Sequence, residues 1–335
     1  MKVVTFGEVM LRFNPEGYMR ILQTNKFEAT LAGSEANVSV SLANYGMDTS
    51  FVTKLPTHEM GNFVVNEMRR TGVDMSDTVR GGARVGLFFL EKGASQRASK
   101  VIYDRAGSAI ATASADEFDW EKILKDATWF HFTGITVALS DSMIEACLQA
   151  CKKAKEKGIT VSCDINYRSQ LWSREKAGAV MAKLMPYVDL CINADIFGIS
   201  VEHFKEGNKF NVEGYVSAAK ELVHRFGFKK VAVTLRNSIT ADRNILGGII
   251  YDSASDTFAV SKEYDVHIVD RVGGGDAFSG GLIYALSNGY SDKEAIEFSV
   301  AASTLKHSME HDFNNATVDE VKSLVSGDST GRIKR

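Results

Sequence analysis

The chain has 335 residues, of which 44% are hydrophobic and 24% are charged, a composition typical of a globular protein with a substantial core. Its 39 Lys and Arg residues are offset by 42 Asp and Glu residues, and the net charge of −3 argues against broad electrostatic binding of nucleic acid or an anionic membrane surface. No apolar run approaches the roughly 20 residues of a membrane-spanning helix. The four cysteines do not form a disulfide framework, so we expect a cytoplasmic protein with reduced cysteines in its core.

Short β-rich runs alternate with helical patterns along most of the chain. The predicted strands are Val3–Phe6, Ser50–Thr53, Thr128–Phe132, Ile159–Cys163, Val188–Ile192, Lys230–Leu235 and Asp265–Val269. The predicted helices, each followed by a glycine of the kind that often ends a helix, are Ser34–Tyr45, Asp141–Lys157, one that stops before Gly227, and Ala277–Asn288. This alternation predicts an α/β fold with a mainly parallel sheet covered by helices on both faces.

Two stretches, 10–32 and 83–108, have strand-like composition but no long helix. Their predicted strands include Arg12–Asn14, Gly86–Glu91 and Lys100–Asp104. We interpret them as a small β-sheet that is inserted into a main domain of residues 1–325 and acts as a lid. The alternative is a pair of surface hairpins with no closing role. Residues 326–335 are predicted to be a frayed tail, because they contain mainly Gly, Ser and charged residues.

Polar or glycine-rich segments follow most of the predicted strands of the main domain. In an open α/β sheet, ligands bind beyond the carboxyl ends of the strands, where such segments meet. The segments are Gly7-Glu8, Thr133-Gly134, Asp164 to Arg168, Asn193 to Asp195, Thr234 to Arg236, and Asp270 to Asp276. Their common position predicts one binding site at this edge of the sheet.

The segment from Val269 to Gly281 leads from a strand, through three consecutive glycines, into a helix. Gly273, Gly274 and Gly275 can present successive backbone N–H groups to an anion, and the helix N-terminus adds a partial positive charge. Asp276 at the same helix end is placed to accept a proton from a substrate hydroxyl. The alternative is a helix-capping Asp after a flexible turn. The spacing is not that of a Walker A loop, G-x-x-x-x-G-K-[ST].

A second glycine, Gly33, precedes a helix whose first turn carries Ser34 and Asn37. The side-chain amide of Asn37 can donate and accept hydrogen bonds to a polyol. Taken alone, this segment is better interpreted as a helix cap with a polar first turn.

Together, the segment around Gly33 and Asn37 and the glycine segment before Asp276 resemble the two signatures of the PfkB, or ribokinase-like, family of sugar kinases. The resemblance covers essentially the whole chain. It implies a ribokinase-like three-layer α/β fold with a β lid. It also implies transfer of the γ-phosphate of ATP, with Mg²⁺, to a primary hydroxyl, with Asp276 as base and the amides of Gly273, Gly274 and Gly275 as anion hole.

Finer features resemble the kinases of 2-keto-3-deoxygluconate within that family. They are Tyr103 to Ala109, Asp164 to Arg168, Thr234 to Ser238, Asp270 to Val272, Lys306 to Ser308, and Asp312 to Asn314. This resemblance implies phosphorylation of that sugar acid at its terminal hydroxyl to the 6-phosphate. The substrate-binding residues that it implies are Gly33, Ser34, Asn37, Tyr103, Arg105, Asn166, Arg168, Asp276 and Asp312. The nucleotide-binding residues that it implies are Asn193, Thr234, Arg236, Gly273, Gly275 and Ser303.

The substrate carboxylate is matched by the guanidinium groups of Arg105 and Arg168, which suit carboxylates. For Arg168 the alternative is a structural salt bridge to Asp164. His307 and His311 stand four residues apart, but we predict no transition-metal site there, since no third cluster of ligands supports one.

The sequence departs from the family pattern at Ala32-Gly33, where the family has a paired glycine, at Arg271, and at Glu310-His311. The last two lie in the loops that the resemblance associates with the nucleotide and with a monovalent cation, so the use of such a cation stays open. We expect a homodimer or higher homo-oligomer that assembles through the lid.

Other functions remain open. Within the family, they are a fructokinase or ribokinase type and a sugar-phosphate kinase. Outside it, they include a catalytically silent sugar-binding regulator, which we would expect to lack Asp276. A Rossmann dehydrogenase is disfavoured, because no G-x-G-x-x-G follows the first strand.

Overall fold

The computed structural model describes residues 1–327, so the predicted tail lies outside the described residues from position 328 onward. The strands are β1 (Lys2–Phe6), β2 (Met10–Asn14), β3 (Glu28–Ala32), β4 (Asp48–Val52), β5 (Lys54–Leu55), β6 (Val79–Arg80), β7 (Gly86–Glu91), β8 (Lys100–Asp104), β9 (Ala127–Thr133), β10 (Thr160–Asp164), β11 (Leu190–Ile192), β12 (Phe204–Lys205), β13 (Lys209–Phe210), β14 (Lys230–Thr240), β15 (Arg243–Asp252), β16 (Thr257–Val260) and β17 (Tyr264–His267). The helices are α1 (Ser34–Asn44), α2 (Glu59–Arg70), α3 (Trp120–Ile123), α4 (Gly134–Val137), α5 (Asp141–Glu156), α6 (Arg174–Met181), α7 (Val212–Phe226), α8 (Gly274–Ser287), α9 (Asp292–His307) and α10 (Val318–Val325).

The main sheet has the strand order β16-β15-β14-β11-β10-β9-β1-β4, with β17 paired to β15 as well. The strands from β14 to β4 in this order are parallel to one another, which confirms the predicted mainly parallel α/β fold. The strand β15 is absent from the predicted set and runs antiparallel to β14, β16 and β17. Since β17 therefore runs in the direction of the parallel strands, its carboxyl end lies at the same edge as theirs.

Helices cover both faces of this sheet, because its strands are apolar on both sides. In β1, Val4 and Phe6 belong to a core layer that contains residues of α5, whereas Val3 belongs to the layer formed with α1 and α8. The four cysteines are buried and unpaired in these layers or strands, as predicted. Among the described residues, no helix has the length and apolar character needed to span a membrane.

The predicted helix Ala277–Asn288 begins earlier in the structure, at Gly274. Gly273 takes the position before the first helical residue, with a left-handed φ of 82° that favours glycine. Gly274 and Gly275 therefore lie in the first turn of α8 rather than in a loop, and Asp276 is inside the helix rather than ahead of it.

The stretches 10–32 and 83–108 form one four-stranded sheet in the order β3-β2-β7-β8. The parallel pairing of β2 with β7 joins the two stretches, so they are not separate hairpins. One face carries Met10 and Phe88 toward the main domain. The opposite face carries Phe13, Phe89 and Ile102, which lie in register across β2, β7 and β8.

Candidate active site

A cavity with a volume of about 710 Å³ lies between this four-stranded sheet and the edge of the main sheet where the parallel strands end. It brings together the residues that the sequence predicts for the site, with one exception, Gly274. The predicted residues that line it are Gly33, Ser34, Asn37, Tyr103, Arg105, Asn166, Arg168, Asn193, Thr234, Arg236, Gly273, Gly275, Asp276, Ser303 and Asp312. The fold thus gathers side chains from both halves of the chain into one space.

Asp276 is held from two sides in the first turn of α8. Ser34 Oγ donates a hydrogen bond to Asp276 Oδ1 at 2.5 Å, and Asn37 Nδ2 donates to Oδ2 at 2.7 Å. Asn166, which has a left-handed φ of 41°, donates through Nδ2 to Ser34 Oγ at 2.9 Å. In this structure, therefore, Ser34, Asn37 and Asn166 orient the carboxylate of Asp276.

The three glycines before Asp276 have different surroundings. A Cβ atom on Gly273 would lie 2.1 Å from the carbonyl oxygen of Asp312, and one on Gly274 would lie 2.3 Å from Cε1 of His307. A Cβ atom on Gly275 would have no heavy atom within 4 Å apart from its chain neighbours and the backbone of its own helix, and Gly275 lines the cavity. The first three N–H groups of a helix have no carbonyl partner within it, so this turn presents free donors to an anion.

Two carboxyl groups of the cavity have perturbed protonation. Burial raises the pKa of Asp276, although the hydrogen bonds from Ser34 and Asn37 oppose the change. Burial, and then repulsion by Asp276, raise the pKa of Asp164 to about 7. Asp164 makes no salt bridge within the described part of the chain, although the nearby charge of Arg168 opposes the rise of its pKa. Perturbed carboxyl groups of this kind are common in catalytic sites.

Two arginines beside the glycine turn carry unpaired positive charge. Arg236 and Arg271 both line the cavity, and neither forms an ion pair among residues 1–327. Burial and then repulsion by Arg236 lower the pKa of Arg271, whose Nε atom is buried without a hydrogen-bond partner. Arg271 was seen in the sequence only as a departure from the family pattern. The fold places Arg271 close to Arg236 at the cavity, a proximity that the sequence does not indicate.

The other predicted nucleotide-side residues shape the backbone of this region. Asn193, with a left-handed φ of 55°, accepts hydrogen bonds at 2.9 Å from the backbone N–H and the hydroxyl of Thr234. Ser303 Oγ donates to the carbonyl oxygen of Gly274 at 2.8 Å. The wall beyond them is apolar and consists of Ile199, Val201, Ala219, Leu222, Val233 and Leu246.

The two arginines predicted to bind a substrate carboxylate differ in the structure. Arg105 Nε donates to Oε2 of the buried Glu8 at 2.8 Å, its Nη2 pairs with the same oxygen, and the guanidinium lies 5.4 Å from the ring centroid of Tyr103. The exposed Arg168 contacts the Tyr167 carbonyl oxygen at 3.1 Å, and the alternative salt bridge to Asp164 is not formed. Arg168 thus carries the less compensated charge, and Glu8 is a partner that the sequence did not reveal.

Asp312 and the two histidines are engaged with protein atoms. The carboxylate of Asp312 accepts hydrogen bonds from Arg12 Nη1 at 2.5 Å and from Asn37 Nδ2 at 3.4 Å. His307 Nδ1 donates to the carbonyl oxygen of Ser303 at 2.7 Å, and His311 contacts Glu28 at 2.9 Å. Residues 1–327 contain no group of three or more potential metal ligands of the His, Cys, Asp or Glu type.

The sequence profile of the pfkB family carbohydrate kinases matches residues 1–310. The chain is 33% identical over 333 residues to the 2-dehydro-3-deoxygalactonokinase of Haloferax volcanii, with 98% of each protein covered. It is 28% identical over 338 residues to the 2-dehydro-3-deoxygluconokinase of Bacillus subtilis, with 100% of this chain and 98% of that protein covered. The crystal structure of 2-dehydro-3-deoxygluconokinase from Thermotoga maritima matches it with a TM-score of 0.93 and 47% identity, covering 98% of this chain and 100% of that chain. The chain belongs to the pfkB family of carbohydrate kinases.

Proposed function

We infer that this carbohydrate kinase transfers the γ-phosphate of ATP to the terminal hydroxyl of 2-keto-3-deoxygluconate. The observation that carries the substrate class is the placement of Arg168, which forms no ion pair with any residue of the range 1–327, in the same cavity as the buried carboxylate of Asp276. An acceptor that is both a polyol and an acid suits this pair, because one residue takes a hydroxyl proton and the other binds a carboxylate.

The nucleotide fits the other half of the cavity. The apolar wall around Val201, Leu222 and Val233 suits a purine base, and the phosphates then reach Arg236, Arg271 and the free N–H groups of the glycine turn. A buried donor without a hydrogen-bond partner costs free energy, and an anion that accepts a hydrogen bond from the Nε of Arg271 would remove this cost.

The buried carboxyl group of Asp164, which lines the same cavity, would be available to hold the divalent ion that this family takes with ATP. A bound Mg²⁺ would supply charge neutralisation to the phosphates. Burial and repulsion by Asp276 raise the pKa of Asp164 to about 7, although the charge of Arg168 opposes the change, and a divalent ion nearby would stabilise the charged form of Asp164.

The chain's own residues account for the remaining steps. Ser34 and Asn37 fix the carboxylate of Asp276, which accepts the proton of the acceptor hydroxyl as that oxygen attacks phosphorus. The N–H groups at the start of α8 stabilise the charge that spreads over the transferred phosphoryl group. The four-stranded sheet above the cavity excludes water when it closes.

The relatives' names support a sugar acid but differ in the sugar. The Haloferax volcanii protein is named for the galactonate form, whereas the Bacillus subtilis and Thermotoga maritima proteins are named for the gluconate form. We propose the gluconate form because the Thermotoga maritima protein, which carries that name, is 47% identical to this chain, whereas the Haloferax volcanii protein is 33% identical. The cavity contacts described above do not depend on this choice.

The test is a panel assay of ADP formation from ATP. The acceptors are 2-keto-3-deoxygluconate, 2-keto-3-deoxygalactonate, fructose, ribose and a sugar phosphate. We expect the highest kcat/KM with the first. Preference for a neutral sugar or for a phosphorylated sugar would contradict the proposal. Asp276→Asn is the matched control, and the loss of a general base lowers kcat by roughly 10²-fold or more.

A further inference from the structure

A cluster of buried charges lies directly beneath the glycine turn. Arg12, on lid strand β2, is fully buried. Its Nη2 atom pairs with Asp270, its Nη1 atom pairs with Asp312 at 2.5 Å, and its Nε atom donates to Asn14 at 3.0 Å. Arg12 of the lid therefore pairs with two carboxylates. Asp270 precedes Gly273 in the chain, and the backbone carbonyl of Asp312 packs against Gly273.

A second buried cation completes the cluster. Lys306, near the end of α9, is 0% exposed, and its Nζ atom lies 3.4 Å from each of the backbone carbonyl oxygens of Asp270 and Met309. Lys92 of the lid approaches Asp270 Oδ2 at 3.9 Å and pairs with Glu310. The side chains of Asp270 and Asp312 and the neighbouring carbonyl groups thus already face fixed positive charges.

The same two loops, Asp270-Arg271 and Glu310-His311, are those that the family resemblance associates with the nucleotide and with a monovalent cation. Potassium and sodium ions bind backbone carbonyl and carboxylate oxygens. Here those oxygens are turned toward Lys306 and Arg12, so an added cation would meet repulsion from two positive charges in a buried region. The residues present therefore do not fit a monovalent cation.

We propose that the ammonium group of Lys306, together with Arg12, takes the place of a monovalent cation beneath the glycine turn, so that phosphoryl transfer by this protein requires neither K⁺ nor Na⁺. Lys306 acts as a positioning residue, through the segment that leads into α8. The inference concerns the nucleotide side of the cavity and does not depend on which sugar acid is the substrate.

The connection from Lys306 to the anion site is short. Asp270 Oδ1 accepts a hydrogen bond from the backbone N–H of Val272 at 3.1 Å, and the carbonyl oxygen of Asp312 packs where a Cβ of Gly273 would lie. Without nearby cations, the negative charges of Asp270 and Asp312 would repel the phosphates that we propose bind at the glycine turn. Burial lowers the pKa of the Lys306 ammonium, and the two carboxylates oppose that change.

The first experiment uses the unmodified protein. Direct measurement of ADP formation compares K⁺, Na⁺ and NH₄⁺ with tetramethylammonium at constant ionic strength. We expect kcat to differ by less than about twofold among the four salts, a difference far below the roughly tenfold change that 1.4 kcal/mol would produce. Stimulation of about tenfold or more by K⁺ or NH₄⁺ would overturn the proposal.

The second experiment removes the ammonium with Lys306→Met, which keeps an unbranched apolar side chain. We expect kcat in tetramethylammonium to fall by roughly tenfold or more, and NH₄⁺ or K⁺ to restore part of it in a size-dependent way. The melting temperature of the variant should also rise with K⁺, whereas that of the wild type should not.

Lys293→Met, at an exposed position of the same helix, is the matched control. A folded Lys306→Met protein with wild-type kcat and no cation response would contradict the assignment. If the variant does not fold, the salt comparison on the wild type still decides.

Discussion

The carboxyl groups of Asp164 and Asp276 lie in one buried cavity, and each influences the charge of the other. Burial, and then repulsion by Asp276, raise the pKa of Asp164 to about 7. Because such coupling is mutual, a negative charge on Asp164 also makes ionisation of Asp276 less favourable. A base must be ionised to accept a proton, so with Asp276 as the proposed base we expect this pair to set the acid limb of the pH profile of activity.

We predict that Asp164→Asn shifts the acid limb of kcat to lower pH. The asparagine Oδ1 can still accept the hydrogen bond from the Asn166 N–H, which is 3.1 Å long in the wild type. The substitution removes a like charge near Asp276, so Asp276 ionises at lower pH. The measurement is the kcat profile of each protein, normalised to its own maximum. A limb at unchanged pH would show that Asp164 does not influence the base.

The same substitution has a second, independent readout in stability. The pKa of Asp164 is raised from 3.8 to about 7 on folding, so the folded state holds this proton more tightly than the unfolded state. The free energy of unfolding therefore falls as pH rises between these two values, and the Asp164→Asn protein should show a shallower fall.

The glycine turn gives a prediction that separates binding from folding. Gly275→Ala adds a methyl group in open space that faces the cavity, and alanine favours a helix more than glycine does. We expect unchanged or higher thermal stability but a large rise in KM for ATP, because the methyl group stands where the phosphates approach. Gly274→Ala should instead lower the melting temperature, since its Cβ would meet His307 at 2.3 Å. Normal ATP affinity in Gly275→Ala would remove this turn from the anion site.

The sequence could predict which residues gather at the site but not what each one contacts. Gly274 was expected to face an anion, and instead it packs against His307. Asn37 was expected to bind a polyol, and its side-chain amide is engaged with Asp276 and Asp312. The buried pairs of Arg12 span 258 and 300 positions of the chain, a separation at which no local pattern reports contact.

Arg105 and Arg168, the two arginines predicted to bind the substrate carboxylate, should differ in how their removal changes kcat/KM. Arg168→Ala should lower kcat/KM for the keto acid by about 10- to 150-fold, the equivalent of about 1.5–3 kcal/mol for a charge-assisted hydrogen bond, and should leave fructose nearly unaffected. Arg105→Ala leaves the buried Glu8 without its cation, so both substrates should lose activity. Equal losses on both substrates for Arg168→Ala would contradict a carboxylate contact there.

At the scale of whole elements, the sequence predicted helices α1, α5, α7 and α8, each followed closely by a glycine, and missed α2, α6, α9 and α10. Helices α5 and α7 combine an apolar stripe with a terminal glycine, and both were predicted. Helix α9 is buried along almost every position from Ala295 to Ser303, so polar and apolar residues do not alternate with a helical period. Strand β15 contains Gly247 and Gly248, which weaken a strand pattern. A Cβ on Gly248 would contact Val300 at 2.8 Å, which is why tertiary packing requires glycine there.

The lid sheet is the element that we expect to respond to the substrate. Among the strands that the structure describes, β8 pairs with β7 alone and forms an edge of the lid sheet, and most of its residues are exposed. Tyr103 and Arg105 at its end line the cavity, so a bound sugar acid would tie this edge to the main domain. We predict that saturating sugar acid slows amide hydrogen exchange in β8 while the central strand β10 stays unchanged. Unchanged exchange in β8 would favour a lid with no closing role.

At the scale of the whole molecule, the outer face of the lid is unusually apolar for a surface. Phe13 and Phe89 stack with ring centroids 5.5 Å apart, Phe27 meets Phe89 edge-on at 5.8 Å, and Ile102 beside them is 43% exposed. Apolar patches of this kind mark association sites more often than free surface. This observation supports the expectation that two chains assemble through their lids, which stays a prediction.

We predict that the protein is a dimer of twice the 36.7-kDa chain mass, and that Ile102→Glu converts it to a monomer. A charge in the middle of an apolar interface is costly to bury, whereas on the free surface of a monomer it is solvated, so the substitution acts on assembly rather than on folding. Light scattering after size-exclusion chromatography measures the mass directly. Phe258→Glu is the matched control, because Phe258 is 50% exposed on strand β16 at the edge of the main sheet. If the lid faces associate, Ile102→Glu alone should halve the mass and leave the melting of the monomer cooperative. A monomeric wild type would contradict the predicted dimer. A dimer that is disrupted by Phe258→Glu but not by Ile102→Glu would place the interface away from the lid.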